Sequence, residues 1–226
     1  MDAAGRRGDC LLDVLGPTPV VRLQRVRPEG GAEIWVKLEH LLPSGSVEDR
    51  VGDALLDAGP IRASPDRAIA VALAARVRGT AAEVSLTASP THEQREMLRL
   101  LGVEVVPQAS TVDATDAFRR TLGAELAAWA RTAEGLSLIV APAFLAAALD
   151  QAGVPVLVAP DVPAAEAAAM ASRLAREEGL LVGPSTGANV AAAFHAASTR
   201  APSEAVLAFA LDSGERYFSA SMEPRG

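Results

Sequence analysis

Two carboxylates stand where short loops turn into helices. Glu48 lies in the run Ser44-Gly45-Ser46-Val47-Glu48-Asp49-Arg50, and Asp66 in Ala63-Ser64-Pro65-Asp66-Arg67-Ala68. In one cleft such a pair could divide acid and base duties, because burying one carboxyl beside another raises its pKa. Each also has a purely structural reading. A carboxylate in the first turn of a helix suits the helix dipole. Ser46 with Asp49 three residues on resembles a capping box with aspartate in the place of glutamate. Ser64-Pro65-Asp66 is a common helix start with proline at the first position, while Asp66 beside Arg67 offers an acid–cation pair to a polar ligand. A third loop, Gly183-Pro184-Ser185-Thr186-Gly187, leads into a helix. Its hydroxyls at Ser185 and Thr186 and its amide at Gly187 could hold an anion, or the turn could serve packing alone. His40, His92 and His195 have no ligand spacing, and with the single cysteine, Cys10, they argue against a zinc site.

The elements that would position these groups alternate between short apolar runs and longer helical patterns, the rhythm of an α/β protein with largely parallel sheets. Strands are predicted over Val20–Leu23, Glu33–Lys37, Glu83–Thr87, Val103–Val106, Ser137–Ala141, Pro155–Ala159, Leu180–Val182 and Ala205–Ala210. Helices are predicted over Val47–Asp57, Ala68–Arg78, Thr91–Leu101, Val112–Thr132, Ala143–Gln151, Ala164–Glu178 and from Gly187 to about Thr199. Gly179 supplies a carboxyl-terminal cap for the Ala164–Glu178 helix. There is no internal repeat or heptad series, and only the two ends read as unstructured.

At 226 residues, half of them apolar, the chain can bury a sizeable core. Few aromatics and much alanine suit helices packed closely on a sheet. A formal charge of −7 offers nothing to nucleic acid or an anionic membrane. The longest largely apolar run, Leu136 to Leu149, is interrupted by Pro142 and is too short to span a bilayer. The first nine residues lack the apolar core of a signal peptide, so the cytoplasm is the expected location. One cysteine cannot form an intramolecular disulfide.

Five stretches in register carry a resemblance. They are Leu12–Leu23, with Gly16-Pro17-Thr18-Pro19; the Lys37-to-Arg50 block; Leu98–Val106; Arg173–Ala188; and Leu211-Asp212-Ser213-Gly214-Glu215-Arg216-Tyr217-Phe218-Ser219. On these the chain is identified as a member of the cysteine synthase (O-acetylserine sulfhydrylase) branch of the fold-type-II pyridoxal-phosphate (PLP) enzymes. The resemblance implies two unequal α/β lobes of the tryptophan-synthase-β-like kind, the smaller from Leu38 to Gly135 and the larger from residues 1–37 plus 136–226.

The departures from that family fall on its chemistry. Glu48 occupies the place of the family's imine-forming lysine, and a carboxylate cannot condense with an aldehyde. The only lysine is Lys37. In the substrate-carboxylate loop, Ser64 remains, but Pro65 removes an amide donor and Asp66 brings a negative charge. The phosphate-cradling glycines have given way to Pro142-Ala143-Phe144. Segments look deleted before Ser137 and between Pro160 and the Ala164 helix. Ser213 alone matches a cofactor contact, the serine that faces the pyridine nitrogen. PLP is therefore expected to be lost, with no other cofactor implied.

Two functions follow. One is a pseudoenzyme that binds, scaffolds or activates another enzyme, as a homodimer or in a heteromer, since the family's members are homodimers whose cleft also accepts the carboxyl-terminal peptide of serine acetyltransferase. The alternative is a PLP-independent enzyme in a specialised biosynthetic pathway, using Glu48 and Asp66 for acid–base chemistry on a small polar or anionic ligand. Ser64, Ser185, Thr186, Gly187 and Ser213 would then line the cleft.

Overall fold

The computed structural model describes residues 8–107 and 109–220; the two ends, read above as unstructured, lie largely outside that range. The strands are β1 (Val20–Arg22), β2 (Glu33–Lys37), β3 (Ile61–Ala63), β4 (Glu83–Leu86), β5 (Glu104–Val105), β6 (Ser110–Thr111), β7 (Leu136–Ala141), β8 (Val156–Val158) and β9 (Ala205–Phe209). They form a five-stranded sheet in the order β1-β2-β9-β7-β8 and a four-stranded sheet in the order β5-β4-β3-β6. Every pairing is parallel except β1 on β2, where Val21 faces Val36. The α/β architecture and its largely parallel sheets are as the sequence predicts.

β9 shows why the larger sheet must be covered on both faces. All five of its residues are buried, and successive side chains point to opposite sides. Leu207 and Phe209 join one apolar core with Ile139 of β7, Val51 and Leu55, Ile69, and Phe118, Leu122 and Leu126. Val206 and Ala208 join another with Ile34, Val36, Met170, Leu174 and Val190. The first core also contains Ile61 and Val84 of the four-stranded sheet, so one apolar body links the two sheets.

The helices are α1 (Asp49–Leu56), α2 (Pro65–Arg78), α3 (His92–Leu100), α4 (Thr115–Phe118), α5 (Ala124–Ala130), α6 (Ala143–Ala146), α7 (Ala164–Arg173) and α8 (Pro184–Ser198). Two close approaches need glycine. A Cβ on Gly52 of α1 would lie 2.4 Å from the Ala70 carbonyl oxygen of α2, and one on Gly187 of α8 would lie 2.0 Å from that of Ala167 in α7.

Several expected boundaries change. Leu180–Val182 is not a strand: the chain turns at Gly179 (φ +73°), makes one isolated antiparallel bridge between Val182 and Ser213, and enters α8 at Pro184. That leaves too few residues to build a ladder. The Val112–Thr132 helix runs as α4 and α5 joined by a π turn over Arg119–Gly123. Ala164–Glu178 likewise ends in a π turn over Leu174–Glu178, capped by Gly179 as expected. The Ala143–Gln151 helix breaks into α6 and a separate 3-10 turn over Asp150–Ala152. β3 and β6 were not predicted.

Candidate functional site

The loop from Leu42 to Glu48 connects the end of β2 to α1. Gly45 takes φ +83°, and a Cβ there would come within 3.1 Å of the Ser213 hydroxyl. The expected Ser46–Asp49 capping box does not form. Asp49 instead accepts from the Ser44 backbone N–H at 2.6 Å and from the Ser44 hydroxyl, so the loop folds back on the helix start. Ser46 still helps, its Oγ accepting from the Glu48 amide at 3.3 Å.

Glu48 lies close enough to Asp66 for that charge to add to the rise in its pKa, but its hydrogen bonds go to another residue. Its carboxylate is held in a two-point contact by Arg67, with Nε on Oε2 at 2.8 Å and Nη2 on Oε1 at 3.3 Å. Burial pushes its pKa upward, Arg67 pulls it down, and the charges of Asp66 and Asp49 add to the rise. Asp66 and Arg67, read from sequence as an acid–cation pair for a polar ligand or as a plain helix start, each bind a different protein side chain. Consecutive residues on a helix point about 100° apart, so Arg67 reaches Glu48 while Asp66 turns to a different cation. That cation is Arg216, 2% exposed, whose Nη1 donates to Asp66 and whose Nη2 donates to the Ser44 carbonyl and, at 3.0 Å, to the Ser44 hydroxyl. Gln94 adds a donor to Asp66 at 2.9 Å.

From Asp66 the network continues through Tyr217, whose hydroxyl donates toward Asp66 at 3.3 Å and Asp212 at 2.6 Å. Ser185 donates to both oxygens of Asp212 at 2.9 Å. Burial raises the Asp212 pKa from 3.8 to about 6; the Asp66 charge adds to this, and the Tyr217 and Ser185 hydrogen bonds oppose it. The same burial and the two carboxylates drive the Tyr217 phenol well above its usual range.

Thus the loop at Ser44–Asp49, the start of α2 and the segment Asp212–Tyr217 are sewn together by side chains up to 172 residues apart.

The other sequence-named residues take structural places. Ser64 caps α2, accepting from the Arg67 amide at 3.4 Å, and Pro65 begins the helix as the Ser-Pro-Asp reading has it, three residues before the predicted start at Ala68. Thr186 is fully buried, its hydroxyl accepting from the Leu211 amide at 2.9 Å. Gly187 is the contact point of α8 on α7, and its amide donates to the Gly183 carbonyl. Ser213 bonds through its backbone to the Gly45 carbonyl at 2.9 Å. Of the seven named residues, Asp66 and Ser185 meet in the network, bridged by Tyr217 and Asp212.

A second buried network surrounds the only lysine. Lys37, 3% exposed, gives its ammonium to the Thr18 carbonyl at 3.0 Å, the Thr18 hydroxyl at 2.9 Å and Glu125. Arg50 bonds Glu39 through Nε at 2.5 Å and Nη2 at 3.0 Å, and Glu125 at 2.9 Å. Sequence reasoning missed this network because its acids and bases come from β2, the 3-10 turn over Glu39–Leu41, α1 and α5.

PLP does not fit these residues. At the strand end where a phosphate would need a backbone cradle, Pro142 takes φ −63° and ψ 155° and α6 follows at once. Phe144 there rests against Phe118 with ring centroids 5.9 Å apart, and Leu145 is fully buried. Glu48 is committed to Arg67, and every ammonium hydrogen of Lys37 is spoken for. Among the described residues no group of three or more His, Cys, Asp or Glu could hold a metal ion, and no helix is long and apolar enough to cross a membrane.

Comparison with known proteins places this geometry. The profile of the family described as "Pyridoxal-phosphate dependent enzyme" matches residues 11–134. A "Probable cysteine synthase" of Bacillus subtilis (strain 168) is 27% identical, the match covering 93% of this chain and 96% of the relative. That alignment spans 298 positions, more than the 226 residues here, so the relative carries stretches without counterpart in this chain. Cysteine synthase B of Salmonella typhimurium is 34% identical over 112 residues, 42% of this chain and 36% of that protein. In structure, the O-acetylserine dependent cystathionine beta-synthase of Helicobacter pylori superposes with a TM-score of 0.79 at 22% identity, over 97% of this chain and 100% of that one.

Proposed function

We propose that this chain, which belongs to the pyridoxal-phosphate dependent enzyme family and is cysteine-synthase-like, is a pseudoenzyme that acts by binding another protein. The observation that carries this reading is the fate of its amines and carboxylates. Glu48, which the resemblance sets at the imine position, is closed by Arg67, and the sole lysine is buried and fully hydrogen-bonded elsewhere. Without an amine the family's covalent chemistry has no starting point. The fold itself is retained, with an ion-paired interior in the place of a reactive one.

Such a protein keeps its surfaces, and the expected partner is a second polypeptide, either an active relative or another enzyme. Native mass spectrometry of the protein recovered from its own host, with a visible absorbance spectrum, tests both parts. A complex with a second polypeptide and no PLP mass is the expected result. A protein-bound imine band would sink the cofactor-free reading, and a chain that carries no other polypeptide would sink the partner.

One observation favours the second reading, PLP-independent acid–base catalysis on a small polar substrate. Asp212 has a carboxyl raised to about 6 and touches Ser185 and Tyr217, a value suited to proton transfer near neutrality. Glu48 and Asp66, the carboxylates first expected in that role, are each bound to an arginine. If Asp212→Asn, Glu48→Gln and Asp66→Asn all leave the biological output unchanged, the catalytic reading fails.

A further inference from the structure

A cavity of about 680 Å³ opens beside the Lys37 network, away from the Glu48–Asp212 cluster. Its size is within the range of small-molecule sites, about 300–1,000 Å³. Its lining includes Lys37, Arg50 and Glu125, the apolar Leu15, Val20, Ala128 and Trp129, and the threonines Thr121 and Thr132. The charged members have one opening in their bonding. Lys37 spends its three hydrogens on Thr18 and Glu125. Both oxygens of Glu125 already accept, one from Lys37 and the Thr18 amide, the other from Arg50. Arg50 is 7% exposed and spends Nε and Nη2 on Glu39 and Glu125. Its Nη1 has no hydrogen-bond partner among the described residues. Arg50 lines the cavity, so a ligand there can supply an acceptor to that N–H.

The charges narrow the ligand further. Lys37 and Arg50 are balanced by Glu39 and Glu125, so the buried network needs no additional charge. A cation would find neither carboxylate oxygen of Glu125 idle. A carbonyl oxygen would satisfy Arg50 Nη1 and leave the balance intact. The apolar wall with its indole suits a flat or aromatic body.

We propose that this cavity is a binding site for a small arylalkyl compound carrying one acceptor carbonyl oxygen, which Arg50 Nη1 receives while Trp129 and Val20 hold the apolar body. The site goes beyond the pseudoenzyme reading and does not depend on it.

The test uses the full-length protein with three probes that share a phenylethyl body: 3-phenylpropanamide, 3-phenylpropanoate and 2-phenylethylamine. Calorimetry measures binding, and the indole N–H signals of the two tryptophans locate it. Trp129 lines the cavity and Trp35 does not, and Trp35→Phe assigns the two signals. The expected result is that the amide binds, the acid binds more weakly, the amine does not bind, and the Trp129 signal moves. Ala128 is exposed on α5, so Ala128→Phe fills the cavity without touching the ion network and should weaken amide binding by about tenfold or more. Arg50→Lys, if it folds, should remove the preference for the amide over ethylbenzene. The proposal is overturned if none of the probes binds, if the amine binds as well as the amide, or if Ala128→Phe leaves affinity unchanged. It is also overturned if Ala128→Phe converts a dimer to a monomer in sedimentation, because the cavity would then seat a second copy of the chain.

Discussion

Putting a lysine back at residue 48 tests whether the ion pair that replaced the family's chemistry is now part of what holds the protein together. The Glu48 side chain is 9% exposed and that of Arg67 20%, with two N–O contacts at 2.8 and 3.3 Å. At an effective dielectric near 20, unit charges about 4 Å apart interact by about 4 kcal/mol. Glu48→Lys removes that attraction and sets two cations face to face, though the lysine can swing aside and partial exposure of Arg67 screens the repulsion. Removing one member of a buried pair costs about 3–5 kcal/mol, and Glu48→Lys should fall in that range. Glu48→Gln, which keeps an acceptor for Arg67, should lose only about 1–3 kcal/mol. The exchange Glu48→Lys with Arg67→Glu restores opposite charges, and the double-mutant cycle should show strong coupling. Urea denaturation at neutral pH, followed by tryptophan fluorescence, measures all five proteins: the parent, Glu48→Lys, Glu48→Gln, Arg67→Glu and the double exchange. Each is also incubated with PLP and reduced with borohydride to trap any imine. Were Glu48→Lys to match the parent within about 1 kcal/mol, the ion pair would not be part of what holds the protein together; were it to trap PLP stoichiometrically at residue 48, the argument that Arg67 and the lost phosphate cradle exclude the cofactor would be wrong.

Other expectations follow from the same contacts. The Asp212 carboxyl binds its proton more tightly folded than unfolded, so its effect on stability has a definite sign: between pH 4 and 6 it makes stability fall as pH rises. The gap between 3.8 and about 6 corresponds to roughly 3 kcal/mol. Asp212→Asn should therefore flatten that part of the pH profile of urea stability and leave the protein at least as stable at pH 7; a loss of stability there would show that the ionised group is needed. Gly187→Ala places a Cβ 2.0 Å from a backbone oxygen of α7, and should cost about 1–3 kcal/mol or more by overpacking, measured as a lower thermal midpoint. Lys37→Met leaves Glu125 with one cation fewer and strips Thr18 of two donors, for a loss of about 3–5 kcal/mol; a near-neutral result would mean that the Lys37 network is replaceable by apolar packing.

Much of the fold was legible because long, periodic segments dominate it. The β9 segment reads as a continuous apolar run and is the doubly buried centre of its sheet, and Gly179 stopped its helix where expected. β3 and β6 escaped because their three and two residues, unlike the equally short β1, β5 and β8, sit in no longer apolar run of the sequence, and their strand character comes from neighbours in the sheet. The capping box at Ser46 failed for a local reason: Ser44, two residues earlier, reached Asp49 first. For the site, the loops named from sequence do meet in one cluster, while the side-chain partnerships within it were not legible. Glu48 and Asp66 are both at the cluster, yet each is bound by an arginine, one of them 150 residues distant. Side-chain pairing across such separations has no signature in a single sequence. Arg216 and Tyr217 were visible only as part of a motif block, with no hint that they bridge Asp66, Asp212 and Ser44.

The burial of the single lysine also makes the protein a self-reporting chemical probe. Acylating reagents aimed at ε-amines meet a single such group, buried at the end of β2 in the wall of the cavity with all its hydrogens engaged. Modification at Lys37 therefore requires its hydrogen bonds to Thr18 and Glu125 to release, and its rate follows the opening of that network. Peptide mapping of a timed acetylation, with a single residue to watch, would follow local unfolding without any introduced label.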